Sequence, residues 1–347
     1  MSKSILKIGK LKVGGSNPPV VIAEIGINHN GNFQTAKKMC KLAIENGADI
    51  VKLQTHIPED EMISVAKNII PINANISIYK IMEKCSLNEN EEIKIKKYVE
   101  GKNKVFLSTP FSRAAALRLK KIGVKAYKIG SGECNNYPLI DLIASFKKPM
   151  IVSTGMNNIK SIKKTVKIIK KYKTPFVLLH TTNLYPTPYK LVRLGALIEL
   201  QKNFKNISIG LSDHTISNHA CFSAVALGAK IVERHFTDTM KRKGPDIINS
   251  MDPRSLKELS TGLKLIHSML GGKKEAAKEE KPTINFAFAS VVSIKDIKKG
   301  EKFTKKNIWV KRPGTGDFLA EDYNKIIGKK SKTFVKSGIQ IKKSFVF

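Results

Sequence analysis

The chain has 347 residues, 41% of them hydrophobic, which is ordinary for a globular protein that buries a core. It holds no run of 18 apolar residues, so no membrane-spanning helix is expected, and its opening MSKSILKIGKLKVGG lacks the apolar stretch of a secretory leader, so a cytoplasmic location is expected. The formal charge is +34, yet only 7 of the 62 basic residues are Arg; this lysine bias argues against a specific nucleic-acid reader, which uses the guanidinium fork, and leaves room for steering of an anionic substrate.

Short apolar runs alternate with longer amphipathic stretches from the start. The runs are VVIAEIG (20–26), DIVKLQT (49–55), KVFLST (104–109), AYKIGS (126–131), PMIVST (149–154), PFVLLHT (175–181), ISIGLS (207–212) and KIVERHF (230–236). Between them, Thr35–Gly47, Ser112–Gly123 and Ser161–Tyr172 carry apolar residues at helical spacing, the first two ending in Gly. Eight such βα units predict an α/β fold, a TIM-type (β/α)8 barrel over residues 1–271, with a doubly wound open sheet as the structural alternative. The stretch 56–87 is an insertion expected to cover one mouth of the barrel. GGKKEAAKEEKP (271–282) marks a linker, placed at 272–283, and 284–347 reads as a small β-rich domain built from FASVVSI, FTKKNIWVKRP, KTFVKSG and IQIKKS. Cys40, Cys85, Cys134 and Cys221 form no CxxC pair, so reduced thiols are expected rather than disulfides or a cysteine zinc site.

Catalytic residues of such barrels sit at the carboxyl ends of the strands. Here the ends supply Glu24 with Asn28 and His29; Lys52 and Gln54; Ser108 and Thr109; Lys128, Ser131 and Glu133; Ser153 and Thr154; His180, Thr181, Asn183 and Tyr185; Ser212, Asp213 and His214; and Glu233 with His235. Buried polar groups cost free energy unless paired, so this convergence points to a site rather than to packing. His214 and His235 end neighbouring strands and can share a cation. Two imidazoles with oxygen donors suit a labile Mn²⁺, Mg²⁺ or Co²⁺ better than structural zinc. His29 and His180 are weaker candidates, with structural roles ahead. Lys52 and Lys128 lie inside strands covered on both sides and need anionic partners; with the hydroxyls of Thr109, Ser131, Ser153 and Ser212 they form a phosphate and carboxylate cradle. Either lysine could instead be the Schiff-base lysine of an aldolase. Glu24 and Glu133 suit a general base or an anchor for sugar hydroxyls, unless each merely pairs a nearby lysine. GSGE (130–133) lacks the full GxGxxG pattern of a dinucleotide turn.

At these residues the chain closely resembles the N-acetylneuraminate (sialic acid) synthase family. The matching segments are AEIGINHNG (23–31), VKLQTHIPEDEM (51–62), FLSTPFSRAAALRL (106–119), YKIGSGECNNYPL (127–139), STGMN (153–157), TNLYPTPY (182–189), GLSDHT (210–215) and ERHFTDTMKRKGPDI (233–247); KPTINFAFASVV (281–292) and NIWVKRPGTGDF (307–318) continue it through the tail. The resemblance implies a barrel followed by an antifreeze-like (SAF) domain, in a domain-swapped homodimer whose tails cap each other's barrels. It implies metal ligation by His214 and His235, phosphoenolpyruvate binding by Lys52, Thr109, Lys128, Ser131, Ser153, Asn183 and Ser212, and sugar binding by Gln54, Glu133, Tyr185 and Asp246, with Arg312 from the partner subunit reaching the N-acetyl group. Glu24 and Glu133 are the implied catalytic carboxylates. The implied reaction condenses phosphoenolpyruvate with N-acetylmannosamine and water, releasing phosphate. Relatives with the same machinery make legionaminic or pseudaminic acid from diacetamido sugars. MKRKGPD (240–246) is unusually basic beside the implied sugar site. Neither specific nucleic-acid binding nor a membrane is expected: the tail carries no aromatic stacking array.

Overall fold

The computed structural model describes residues 5–71 and 74–347; residues 1–4, at the head of the segment read for a leader, and 72–73, within the insertion, lie outside them. The eight apolar runs become eight parallel strands: β1 Val20–Gly26, β2 Ile50–Thr55, β3 Val105–Pro110, β4 Tyr127–Ile129, β5 Met150–Ser153, β6 Phe176–Thr181, β7 Ile209–Asp213 and β8 Ile231–His235. The hydrogen-bonded ladder runs β3-β2-β1-β8-β7-β6-β5-β4, and its two end strands lie side by side, so the sheet is a nearly closed barrel.

Strand alternation sorts the side chains into two cores. Val21, Ala23, Val51, Leu53 and Phe106 point outward and pack against the surrounding helices. Val20, Ile22, Ile50, Leu107, Ile151 and Leu179 point inward and fill the lower barrel. An antiparallel hairpin, Ile5–Ile8 with Leu11–Gly14, adds Leu6, Ile8 and Val13 to that inner core and closes the end where the strands begin. Sequence reading did not anticipate this hairpin; its strands are four residues each, too short to show a period. Gly210 takes the inward position of β7 because a Cβ there would meet Ile231 O at 2.3 Å and Leu179 Cδ2 at 2.6 Å.

The helices follow their caps. Asn32 accepts from Thr35 N ahead of Phe33–Glu45, Ser112 from Ala115 N ahead of Arg113–Lys121, and Asn158 from Ser161 N ahead of Ile159–Lys171. In the insertion, Pro58–Glu61 and Ile78–Cys85 are helical. Ile81 and Cys85 pack on Ile27, and a Cβ on Gly31 (φ +73°) would lie 2.2 Å from Lys84 O, so the insertion rests on the loop after β1 at the carboxyl mouth. All four cysteines are buried and free.

The chain divides into two compact units, Met1–Leu270 and Gly271–Phe347. The second contains one antiparallel pair, Ser290–Ser293 with Ile308–Lys311, around Val291, Phe303, Ile308, Ile326, Val335 and Ile341. The pieces KTFVKSG and IQIKKS contribute single bridges, Val335 to Ile297 and Gln340 to Val292, rather than strands. The stretch read as linker is partly helical: a turn at Lys278–Glu280 leads into helix Lys281–Ala287, begun by Pro282 in its first turn. Among the described residues no helix is long and apolar enough to cross a membrane.

Candidate active site

Two residues above the inner apolar layer, every strand changes character. The inward positions become Glu24, Lys52, Thr109, Lys128, Ser153, Thr181, Ser212 and Glu233, one polar side chain from each of the eight strands, and all line one cavity of about 170 Å³. Its walls rise through Gln54, Ser131, Glu133, Asn183, Tyr185, His214 and His235. The fold thus brings together every barrel residue to which the resemblance gave a site role except Asp246, which stands beside the cavity with a carboxylate oxygen 3.7 Å from His235 Nδ1.

The floor is an ionic lattice. Lys52 Nζ lies 3.2 Å from Glu24 Oε2 and 3.3 Å from Glu233 Oε1, and donates to Thr109 Oγ1 at 3.3 Å. Lys128 Nζ donates to Ser153 Oγ at 2.7 Å and lies 3.5 Å from the same Glu233 oxygen, which also accepts from Ser212 Oγ at 3.0 Å. Two ammonium groups and two carboxylates cancel, so the floor is not the purely cationic cradle that the lysines alone suggest. Burial raises the Glu24 pKa to about 7, against the pull of Lys52 and with the push of Glu233. Burial would raise Glu233 as well, but Lys128 and Lys52 hold it below the usual carboxylate range. Burial lowers the Lys128 pKa, while for Lys52 that effect is outweighed by Glu233 and Glu24 and the pKa rises. Glu24 therefore does pair a lysine. Glu133 does not: its Oε2 is buried without a hydrogen-bond partner, and burial lifts its pKa to about 7.

In the same cavity the rings of His214 and His235 stand 5.5 Å apart, and Tyr185 packs 4.2 Å from His214. Burial drives both histidine pKa values down, to about 4 for His214, helped by His235, and to about 3 for His235, helped by Lys52, so both are neutral imidazoles. His214 Nδ1 donates to the Thr182 carbonyl at 2.8 Å, so the ring proton sits on Nδ1 and Nε2 keeps its lone pair. His235 Nδ1 is buried with no hydrogen-bond partner, as are Thr181 Oγ1 and Asn183 Oδ1. Gly155 makes room for this wall: a Cβ there would sit 1.9 Å from Asn183 Oδ1 and 2.8 Å from Ser131 Oγ, whose hydroxyl accepts from Gly155 N. Unsatisfied polar atoms gathered in one cavity mark a place for a polar ligand.

Several strand-end residues face elsewhere. Ser108 and Thr55 point out of the barrel and bond each other, with Thr55 Oγ1 donating to Glu92 at 2.6 Å. Asp213 also points out, toward Arg234. His29 accepts from Gly31 N, and His180 is tied to Val192 O. Arg242 of MKRKGPD is held by both oxygens of Asp238. Arg312 lies exposed after Ile308–Lys311 in the second unit. Glu233 was visible at its strand end but received no role, because nothing in the sequence showed that both lysines converge on it. His56 and Glu61, bonded to each other next to Gln54, lay inside the matching segment VKLQTHIPEDEM but received no role.

The NeuB family model matches residues 39–275 and the SAF domain model residues 288–346. The chain belongs to the NeuB family. It is 37% identical over 318 residues, 89% of this chain and 95% of the relative, to the N,N'-diacetyllegionaminic acid synthase of Campylobacter jejuni, and 33% identical to a pseudaminic acid synthase of the same species over 93% of this chain and 95% of that one. Among solved structures it is similar to the N-acetylneuraminic acid synthetase of Leptospira borgpetersenii, at a TM-score of 0.74 and 31% identity, covering 81% of this chain and 95% of that one. This NeuB-family chain is accordingly a sugar acid synthase with a nearly closed barrel and an SAF domain.

Proposed function

We propose that this NeuB-family enzyme joins phosphoenolpyruvate to the open-chain aldehyde of an N-acetylated hexosamine, giving a nine-carbon sugar acid and phosphate. The observation that carries the reading is the cavity itself, where two buried lysines, two neutral imidazoles and several unpaired polar atoms line one space.

Lys128, with Ser131, Ser153, Thr109, Asn183 and Ser212, suits the carboxylate and phosphate of phosphoenolpyruvate. The histidine donor set fits a divalent cation: His214 keeps a free Nε2 and His235 a partnerless Nδ1. His214 and His235 would hold the cation, Mn²⁺ first with Mg²⁺ or Co²⁺ as alternatives, which when bound would supply Lewis-acid polarisation of the aldehyde oxygen. The enol carbon attacks the aldehyde carbon, water adds at the adjacent carbon, and the C–O bond to phosphate breaks as the ketone forms. Phosphate leaves with the bridging oxygen and water supplies the keto oxygen. Glu24 is placed to take the proton of that water, and Glu133, Gln54, Tyr185 and Asp246 to hold the sugar. In a homodimer, Arg312 of the SAF domain would meet the acetamido group of a sugar in its partner's barrel.

A Schiff-base aldolase is disfavoured at Lys52, because Glu233 and Glu24 stabilise its ammonium form and an amine nucleophile must be neutral. For the sugar, the hydroxyl-binding set Glu133, Gln54, Tyr185 and Asp246 supports N-acetylmannosamine. A 6-deoxy-diacetamido sugar is the second reading, supported by the 37% identity to the legionaminic acid synthase. Comparing kcat/KM for the two sugars and for the altrose-derived diacetamido sugar, with phosphoenolpyruvate and Mn²⁺, tests this. Preference for N-acetylmannosamine supports the first reading, and preference for a diacetamido sugar replaces it with the second.

A further inference from the structure

A hydrogen-bond chain runs from the insertion into the cavity, and the chemistry above makes no use of its outer half. Glu61 Oε2 lies 2.8 Å from His56 Nδ1, His56 Nε2 lies 3.0 Å from Gln54 Oε1, and Gln54 Nε2 donates to Glu24 Oε1 at 2.9 Å. The His56 ring is stacked on Phe111 at 4.4 Å and 12°, and Phe111 lines the cavity. The His56 side chain is 2% exposed and that of Glu61 14%, so the chain enters from the protein edge and ends in a buried carboxylate.

With Glu24 and Glu61 both ionised, donor and acceptor bookkeeping sets the sense of every bond. An ionised Glu61 carboxylate only accepts, so His56 Nδ1 donates. The Gln54 NH2 donates to Glu24, which leaves the Gln54 carbonyl to His56, so Nε2 donates too. With both ring nitrogens donating, a flipped Gln54 would set its NH2 against an N–H and its carbonyl against the Glu24 carboxylate, losing two bonds at once.

We infer that His56 and Glu61 are positioning residues for the sugar half of the reaction: the pair locks the Gln54 amide in the one orientation that donates to Glu24 and presents a fixed donor and acceptor at the cavity wall. The inference rests on the reading that Gln54 and Glu24 serve the aldehyde and the water rather than phosphoenolpyruvate. Of the residues given to phosphoenolpyruvate, Lys128, Ser131 and Ser153 bond neither Gln54 nor Glu24, and only Lys52 reaches the inner end of the hydrogen-bond chain, at 3.2 Å from Glu24 Oε2. Removal of the pair therefore acts on one substrate: misorientation of a positioned group costs on the order of tenfold to a hundredfold.

The test uses the full-length, metal-loaded enzyme with saturating phosphoenolpyruvate and a titrated sugar, then the reverse. His56→Ala and Glu61→Ala should each lower kcat/KM for the sugar by about tenfold or more while leaving KM for phosphoenolpyruvate within about twofold. Glu61→Gln, which keeps an acceptor for Nδ1, should recover most of the loss. If His56→Ala does not fold, Glu61→Ala, at the edge of the protein, carries the test. A nitrogen-15 histidine spectrum of the wild-type protein should show hydrogen on both His56 ring nitrogens, and on only one in Glu61→Ala. Equal losses for both substrates, an unchanged sugar KM, or a single protonated His56 nitrogen in the wild type would overturn the inference. Should the wild type make no product from any of the three sugars, the proposed function falls, and the histidine spectrum alone decides whether the lock exists.

Discussion

Arg234 and Asp213 form a buried ion pair, Nε to Oδ2 at 3.3 Å, on the outer side of the two strands whose inner sides carry the histidines. The pair is interleaved with the site in sequence: Asp213 precedes His214, and Arg234 sits between Glu233 and His235. Arg234, 1% exposed, also donates to Asn218 Oδ1 and to the carbonyl of Thr215, while Asp213 accepts from Thr215 N and Oγ1. One guanidinium thus ties the turn after β7, which carries His214, to β8, which carries His235.

Arg234→Met should leave Asp213 buried and unpaired, at a cost of about 3–5 kcal/mol. The double variant Arg234→Met/Asp213→Asn removes the lone charge and should regain much of that stability. It should not regain Mn²⁺ affinity, which is expected to stay about 10–100-fold weaker because the ligand turn is no longer anchored. Thermal unfolding and a Mn²⁺ titration followed by electron paramagnetic resonance separate the two effects; affinity that returns with stability would contradict the anchoring role.

Glu92 offers a pH test away from the site. It is buried between β2, β3 and its own helix Glu89–Gly101, with Oε1 accepting from Thr55 and Oε2 3.7 Å from the Arg118 guanidinium, beyond hydrogen-bond reach. Burial raises its pKa from 4.5 to about 7. The folded state then holds the proton more tightly than the unfolded chain, so this group's contribution to stability falls as pH rises from about 4.5 to 7 and is flat above. Glu92→Gln, which cannot ionise, should gain on the wild type by roughly 2–3 kcal/mol between pH 5 and pH 8. Denaturant unfolding at the two pH values measures it, and a constant difference would contradict the assignment.

How much of this was legible in the sequence follows from periodicity. All eight strands were readable because each is an apolar run between helix-length segments. Which strand-end residues face inward was not worked out, although alternation contains it: Lys52, Thr109, Ser212 and Glu233 point in, while Thr55, Ser108, Asp213 and Arg234 beside them point out. The pairing of Lys52 and Lys128 through one Glu233 oxygen needed the closed barrel, since these residues come from strands far apart in the chain. The position of Arg312 relative to a barrel was implied only by family resemblance.

Removing one histidine should separate cation binding from folding. His235→Ala is expected to weaken Mn²⁺ binding by at least about tenfold and to abolish synthesis, with little change in unfolding temperature, because His235 Nδ1 has no hydrogen-bond partner to lose. Chelation of the wild type by EDTA should have the same effect on synthesis, reversed by Mn²⁺. Full synthesis by metal-stripped His235→Ala would contradict the assignment.

Arg312→Ala should raise KM for the sugar more than KM for phosphoenolpyruvate, since its guanidinium is expected to reach only the acetamido end. Equal losses, together with a change in oligomeric state by light scattering, would instead mark Arg312 as an interface residue.

The most direct test of the central claim follows the bridging oxygen. Phosphoenolpyruvate labelled with oxygen-18 at the C–O–P bridge is incubated with the enzyme, N-acetylmannosamine or its diacetamido relative, and Mn²⁺. The account predicts one phosphate released per sugar acid formed, with the label in the phosphate and none in the product. Product formed from pyruvate without phosphoenolpyruvate, with borohydride trapping at Lys52 or Lys128, would contradict it.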